Sequence, residues 1–293
     1  DKLISDDFFF YYTRVFIFSL NPTVLAFGLV SNVINIAVFA RMGLNESVTL
    51  SLFLLSLSDV CFTLLSSLKV SLAFVAKFPE IAPKSVDLLD LVFIIFWYSM
   101  VIYDTSTMIR VYIAVARACC VAIPLTFKHI FTKLITVYAV CAIFVAVLAS
   151  RMPMLVSHVL CSVPDTMTNV TRFVLFFTAT RPTALVVNDI VNKNIFTWGA
   201  ISLVLISLFV LKIKLVSSAK FRHMARSEPQ GPKSRHENKD AVLVGKDLQV
   251  LKVVILVSAI FIACTLPATM AAVVRRLEPE FNTGGRLESV FQV

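Results

Sequence analysis

The stretch LVFIIFWYSMVIYDTSTMIRVYIAVARACCV, residues 91–121, decides the fold class. It exceeds the roughly 20 predominantly apolar residues that carry a helix across a bilayer. It also holds three charged side chains, Asp104, Arg110 and Arg117. Their setting is helical: Ser99, Tyr103, Ser106, Arg110 and Arg117 follow at steps of 4, 3, 4 and 7, which places them on one face. A helix that is apolar on most sides and polar along one stripe belongs in a membrane bundle, with the stripe turned inward.

Five further apolar runs flank this one, and together they predict an all-α membrane protein with six crossing helices. Residues 15–40 carry no charge, and residues 48–76 are interrupted by Asp59 and Lys69. Residues 134–155 are charged only at Arg151, and residues 194–211 and 253–274 complete the set. Runs of this length lack the alternation of a membrane barrel, which leaves helices as the way to satisfy the backbone in lipid. Bulk composition agrees. Of 293 residues 58% are hydrophobic, 15% are charged and the mean hydropathy is +0.86, whereas a soluble domain is nearer one quarter charged. The 25 phenylalanines suit a lipid-facing surface.

Polar stripes recur on the neighbouring runs. Asp59, Thr63 and Ser66 share a face of the second, and Gly28, Asn32 and Asn35 share a face of the first. Ser, Thr and Asn in membrane helices commonly do no more than hold helices together. Asp59 and Arg117 demand a stronger reason, since an intramembrane charge costs about 2.5–3.5 kcal/mol on insertion scales. Arg110 is a natural partner for either Asp59 or Asp104.

Orientation follows from charge. The segment 212–252 contains ten Lys and Arg against four acids, and its Ser-Glu-Pro-Gln-Gly-Pro at 227–232 reads as a flexible polar loop. A basic excess marks the cytoplasmic side. The net charge of +9 is therefore explained by anionic lipid and orientation, without nucleic acid. Residues 1–14 become an extracellular amino-terminal tail, 15–281 the bundle with a cytoplasmic loop at about 215–247, and the 161–193 loop faces outward. Asn169 begins an N-glycosylation sequon in that loop, which agrees with this side. The chain opens at Asp1 without a signal-peptide pattern, so a fragment or processed product is expected.

Several motifs, taken in order, resemble the rhodopsin-like (class A) G-protein-coupled receptors over nearly the whole chain. Gly28-Leu-Val-Ser-Asn32 is similar to the family's Gly-x-x-Gly-Asn, and Leu55-Ser-Leu-Ser-Asp59 to its Leu-x-x-x-Asp. Ala116-Arg117-Ala118 followed by Pro124-Leu125 resembles Asp-Arg-Tyr with Pro-Leu in the next loop. Phe261-Ile-Ala-Cys-Thr265-Leu-Pro267 resembles Phe-x-x-Cys-Trp-x-Pro. The runs at 43–52, 117–132 and 212–224 look most like molluscan chemosensory-type receptors and their neuropeptide-receptor relatives.

The resemblance implies a seven-transmembrane receptor bundle with six helices present, residues 282–293 marking the start of a missing seventh-helix region. It implies a plasma-membrane protein with its amino terminus outside, passing a small-molecule or peptide signal to a heterotrimeric G protein as a two-state switch. Asn32, Asp59, Ser106, Phe261 and Pro267 would form the activation core, with a possible sodium ion at Asp59. Arg117, Pro124, Leu125, Lys214 and Lys252 would meet the G protein. Lys69, Ser99, Tyr103, Asp104, Thr265 and Thr269 would line the ligand pocket, and Ser99 in place of an aspartate argues against a monoamine. Lys69 would favour a carboxyl-bearing ligand or else snorkel to the headgroups.

Departures are as informative. Ala116 stands where an acid normally restrains Arg117, Arg110 stands at a normally apolar position, and Thr265 replaces a tryptophan. The family disulfide has Cys161 but only Val92 on the helix-three side, so no disulfide is expected. Rival readings are a multi-pass transporter or channel, a membrane enzyme, and a decayed non-signalling receptor. A transporter predicts repeats and broken helices; no repeat is visible and Pro267 is read as the mid-span proline. The four histidines, at 129, 158, 223 and 236, form no ligand-spaced cluster, which speaks against a metalloenzyme.

Overall fold

The computed structural model describes Tyr11, residues 15–78, 80, 83, 85–165 and 170–226, and isolated positions between 260 and 274. Among these the chain is mostly helical. A π-helical turn, Phe16–Leu20, leads into α1 (Asn21–Met42); α2 (Ser47–Val75), α3 (Leu88–Ala122), the short α4 (Pro124–Ile130) and α5 (Lys133–Leu155) follow. A β-hairpin of β1 (His158–Asp165) and β2 (Val170–Phe177) precedes α6 (Arg181–Asn188), a π-helical segment Asp189–Phe196, and α7 (Thr197–Arg226).

Local chemistry sets the ends. Gly43 stops α1 at φ +90°, a left-handed value that L side chains rarely adopt. The Asp87 carboxylate caps α3 by accepting the Leu89 N–H at 2.8 Å, and the Thr132 hydroxyl caps α5 through Ile135 N–H at 3.3 Å. Pro124 and Pro182 sit in the first turns of α4 and α6, where a missing N–H costs nothing. Pro153 also lies inside α5, two residues before its end and so not mid-span.

Among the described residues, five helices are long and apolar enough to cross a membrane: Asn21–Met42, Ser47–Val75, Leu88–Ala122, Lys133–Leu155 and Arg181–Lys214. The first four follow the sequence expectation closely. The fifth does not. Residues 181–193, expected in a loop, are helical and continuous with the run at 194–211, and α7 carries the helix on to Arg226, into the segment expected to be loop from 215. The 161–193 interval also contains a sheet, so an all-helical chain was too simple an expectation. Described positions within 260–274 are helical, but most of the sixth run lies outside the described residues.

α3 is the hub, packing against α2, α4, α5 and α7, while α1 packs on α2. Small polar side chains share the bundle interior with apolar ones: Ser56, Thr63, Ser66, Ser99, Thr105, Ser106 and Thr136 are buried, as are Val101, Ile109 and Val147. The outward faces carry large apolar side chains, with Phe27 74% and Phe209 65% exposed. Lipid permits that exposure, because apolar side chains gain nothing by leaving hydrocarbon and helices associate through close packing and hydrogen bonds. The Tyr112 hydroxyl meets the Thr136 hydroxyl at 2.9 Å between α3 and α5.

The hairpin closes one end of the bundle. Its strands are antiparallel, with Cys161 opposite Val174, and it is moored to α3 where the Leu175 N–H donates to the Asp90 carboxylate at 2.9 Å. Phe173 N–H donates to the Ser85 carbonyl at 2.8 Å, and the Arg181 guanidinium stacks on the Phe177 ring at 3.3 Å. All six cysteines are free thiols.

Candidate functional site

Three ionic or hydrogen-bonded clusters join the helices, and α3 contributes to each. The first links α2 to α3. Asp59 Oδ1 accepts hydrogen bonds from the Ser106 hydroxyl and from Arg110 Nη2, the latter at 2.8 Å. Asp59 was placed beside Ser106 by sequence, and of the two acids offered to Arg110 it is the partner. Thr63, one turn on, donates to the carbonyls of Asp59 and Val60 and stays within its own helix. Asn32 likewise donates to the Gly28 carbonyl of α1 at 2.9 Å and makes no bond to Asp59.

The second cluster was largely missed. Arg151 of α5 is only 6% exposed. Its Nε donates to Asp104 Oδ2 at 2.7 Å, its Nη2 approaches the same oxygen at 2.5 Å, and its Nη1 donates to Asn188 Oδ1 at 2.5 Å. Asn192 Nδ2 also donates to Asn188 Oδ1, at 3.3 Å, and Asn192 Oδ1 accepts from the Ser150 hydroxyl at 2.8 Å. The cluster therefore ties α3, α5, α6 and the π-helical segment together. Asp104, expected to face a ligand, is instead committed to Arg151. A lone arginine in the fourth apolar run was the available signal. Ala184, Asn188 and Asn192, four apart, would have marked the inward face of the hidden helix.

The third cluster lies nearer the hairpin end. Lys69 of α2 turns inward, not along the helix toward headgroups: its ammonium donates to the Ser99 hydroxyl at 2.9 Å and sits 5.3 Å from the Phe96 ring centroid. Ser99 is fully buried and donates onward to the Phe96 carbonyl at 2.8 Å. No carboxylate pairs with Lys69 among the described residues. Tyr103, on the same face of α3, packs its ring 5.5 Å from that of Phe62.

Arg117 is half-buried between the buried Ala116 and Ala118, and it forms no hydrogen bond or ion pair among the described residues. Pro124 and Leu125 open α4, directly after α3, and Lys214 is exposed on α7. Pro267 is helical and exposed. Lys252, Phe261, Thr265, Thr269 and the sequon at Asn169 lie outside the described residues.

The Asp59 cluster does not suit a sodium ion. A guanidinium already donates to the carboxylate oxygen that an ion would need. Two unit positive charges about 4 Å apart repel by roughly 4 kcal/mol at an effective dielectric constant near 20. Outside the membrane-spanning helices, burial of His158 against the Phe93 ring, 5.6 Å away, with Arg181 nearby, holds its imidazole below the usual pKa.

No protein-family model matches this chain, and no curated protein matches it significantly. What the structure establishes, among the described residues, is a mostly helical chain with five helices long and apolar enough to cross a membrane, compatible with a multi-pass membrane protein, in which Arg110 pairs with Asp59 and Arg151 with Asp104 across helix contacts.

Proposed function

We propose that this chain works as a rhodopsin-like receptor, passing an extracellular chemosensory or neuropeptide signal across the plasma membrane to a heterotrimeric G protein. The observation that carries the reading is the arrangement along α3. Asp59 and Ser106 stand at positions where the motifs predict an activation core, and Arg110 joins them to latch α2 to α3. Arg117, two helical turns further on the same element, has no acid to hold it among the described residues. In a two-state switch, removing a restraint on the inactive form raises the active population without ligand. Arg117 is then the G-protein contact, with Pro124, Leu125 and the basic segment from Lys214 to Lys252 beside it on the cytoplasmic side. The amino terminus and the hairpin lie outside.

The ammonium of Lys69, turned toward Ser99 and paired with no carboxylate among the described residues, gives the ligand end of the bundle a local positive charge and favours a carboxyl-bearing ligand. The experiment is basal guanine-nucleotide exchange on a panel of G proteins, in membranes from cells making the full-length gene product. Exchange should be measurable without ligand, and should fall at least about tenfold in Arg117→Ala, a loss of roughly 1.4 kcal/mol of coupling. Ala116→Asp, which supplies the missing acid, should lower it as well. Absence of any Arg117-dependent exchange across the panel would overturn the proposal.

A further inference from the structure

The two intramembrane ion pairs are built differently. Arg151 is enclosed, with side-chain exposures of 7% for it and 16% for Asp104, and its guanidinium is fixed by Asn188 as well. Arg110 and Asp59 are more open, at 31% and 20%, and Arg110 makes its one hydrogen bond to Asp59 Oδ1. The same oxygen takes the Ser106 hydroxyl. A carboxylate and a hydroxyl converging between two membrane helices offer oxygen ligands of the kind a small hard cation takes. An unpaired carboxylate there would need such a counter-charge.

We infer that the Asp59–Ser106 site is a cation site filled from within the protein by Arg110, so that the α2–α3 junction forms without a metal ion and does not respond to one. A guanidinium stays charged at every accessible pH, and its planar fork fits a carboxylate. A metal ion reaching Asp59 Oδ1 must displace Arg110 or stand beside a like charge. The covalent tether gives Arg110 an effective concentration that a dissolved ion does not match. Replacing Arg110 by an uncharged residue therefore turns an indifferent site into a cation-responsive one. This inference rests on the geometry of Asp59, Ser106 and Arg110 alone, independent of the receptor reading, and its test needs no ligand or G protein.

The test is the thermal transition of the full-length protein in detergent, compared in sodium chloride and in choline chloride at equal ionic strength. The unaltered protein should melt at the same temperature in both. Arg110→Met should melt lower in choline, by about 5 °C or more, and recover part of that loss in sodium. Asp59→Asn/Arg110→Met should show no sodium response, which assigns the effect to the Asp59 carboxylate. Arg110→Gln serves where the methionine variant does not fold. Sodium-specific stabilisation of the unaltered protein overturns the inference, as does a folded Arg110 variant indifferent to sodium or a double variant that still responds.

Discussion

Arg151→Met tests the bundle's organisation most severely. Arg151 donates through Nε, and approaches through Nη2, the Asp104 carboxylate, and it bonds Asn188 through Nη1. Methionine fills much the same volume but leaves Asp104, which is only 16% exposed, without its counter-charge. Removing one partner of a buried pair costs about 3–5 kcal/mol, whereas replacing both by apolar groups is often neutral. Interhelical hydrogen bonds between neutral side chains in membranes average only about 0.6 kcal/mol. Three variants should therefore separate cleanly. Arg151→Met should lower the melting temperature by on the order of 10 °C. Asp104→Leu/Arg151→Met should regain most of that loss. Ser150→Ala, which removes the hydroxyl's bonds to Asn192 Oδ1 and to the Val147 carbonyl of its own helix, should shift it by about 1–2 °C. The buried Trp97 gives the assay, since its fluorescence reports solvent entry as detergent-solubilised protein unfolds. If the single and double Arg151 variants melt together, with coupling below about 0.5 kcal/mol, the pair does not organise the bundle and the reasoning fails.

Other expectations are equally direct. Asp90→Ala frees the Leu175 N–H from a charge-assisted bond of about 1.5–3 kcal/mol, so hydrogen exchange in β2 should quicken by about tenfold or more, while exchange in α5 stays unchanged. The His158 imidazole is held below its unfolded value, so the unfolded hairpin binds the proton first and local stability is complete above about pH 6.5. It should then decline as pH falls toward the lower folded value, and His158→Phe should abolish that decline in a hydrogen-exchange titration. Lys69→Met should weaken the response to any carboxyl-bearing agonist about tenfold or more, with Lys69→Arg recovering part of it; equal potency across the three proteins would remove Lys69 from the ligand site.

Four of the five described spans were legible in the sequence because uninterrupted apolar runs of crossing length admit only one solution in lipid. The fifth was truncated for an equally physical reason. Its first four turns contain Arg181, Asn188, Asp189, Asn192, Lys193 and Asn194, which depress hydropathy although Asn188 and Asn192 are buried against protein. The hairpin was hidden in a stretch read only for its sequon. Yet Val159-Leu-Cys-Ser-Val163 and Val170-Thr-Arg-Phe-Val174 are β-branched and aromatic-rich around a turn-forming interval.

By itself, then, the sequence determined the solvent of this protein, the number and boundaries of its clearest helices, and the fact that Asp59, Lys69, Asp104, Arg110, Arg117 and Arg151 need a reason to be where they are. Periodicity put the polar residues of α3 on one face. Which charge answers which was decided only in three dimensions. Periodicity relates residues within one helix, whereas pairing depends on how neighbouring helices are rotated and shifted against one another. Tertiary packing gave Asp59 to Arg110, gave Asp104 to Arg151, and among the described residues left Lys69 and Arg117 without an acid.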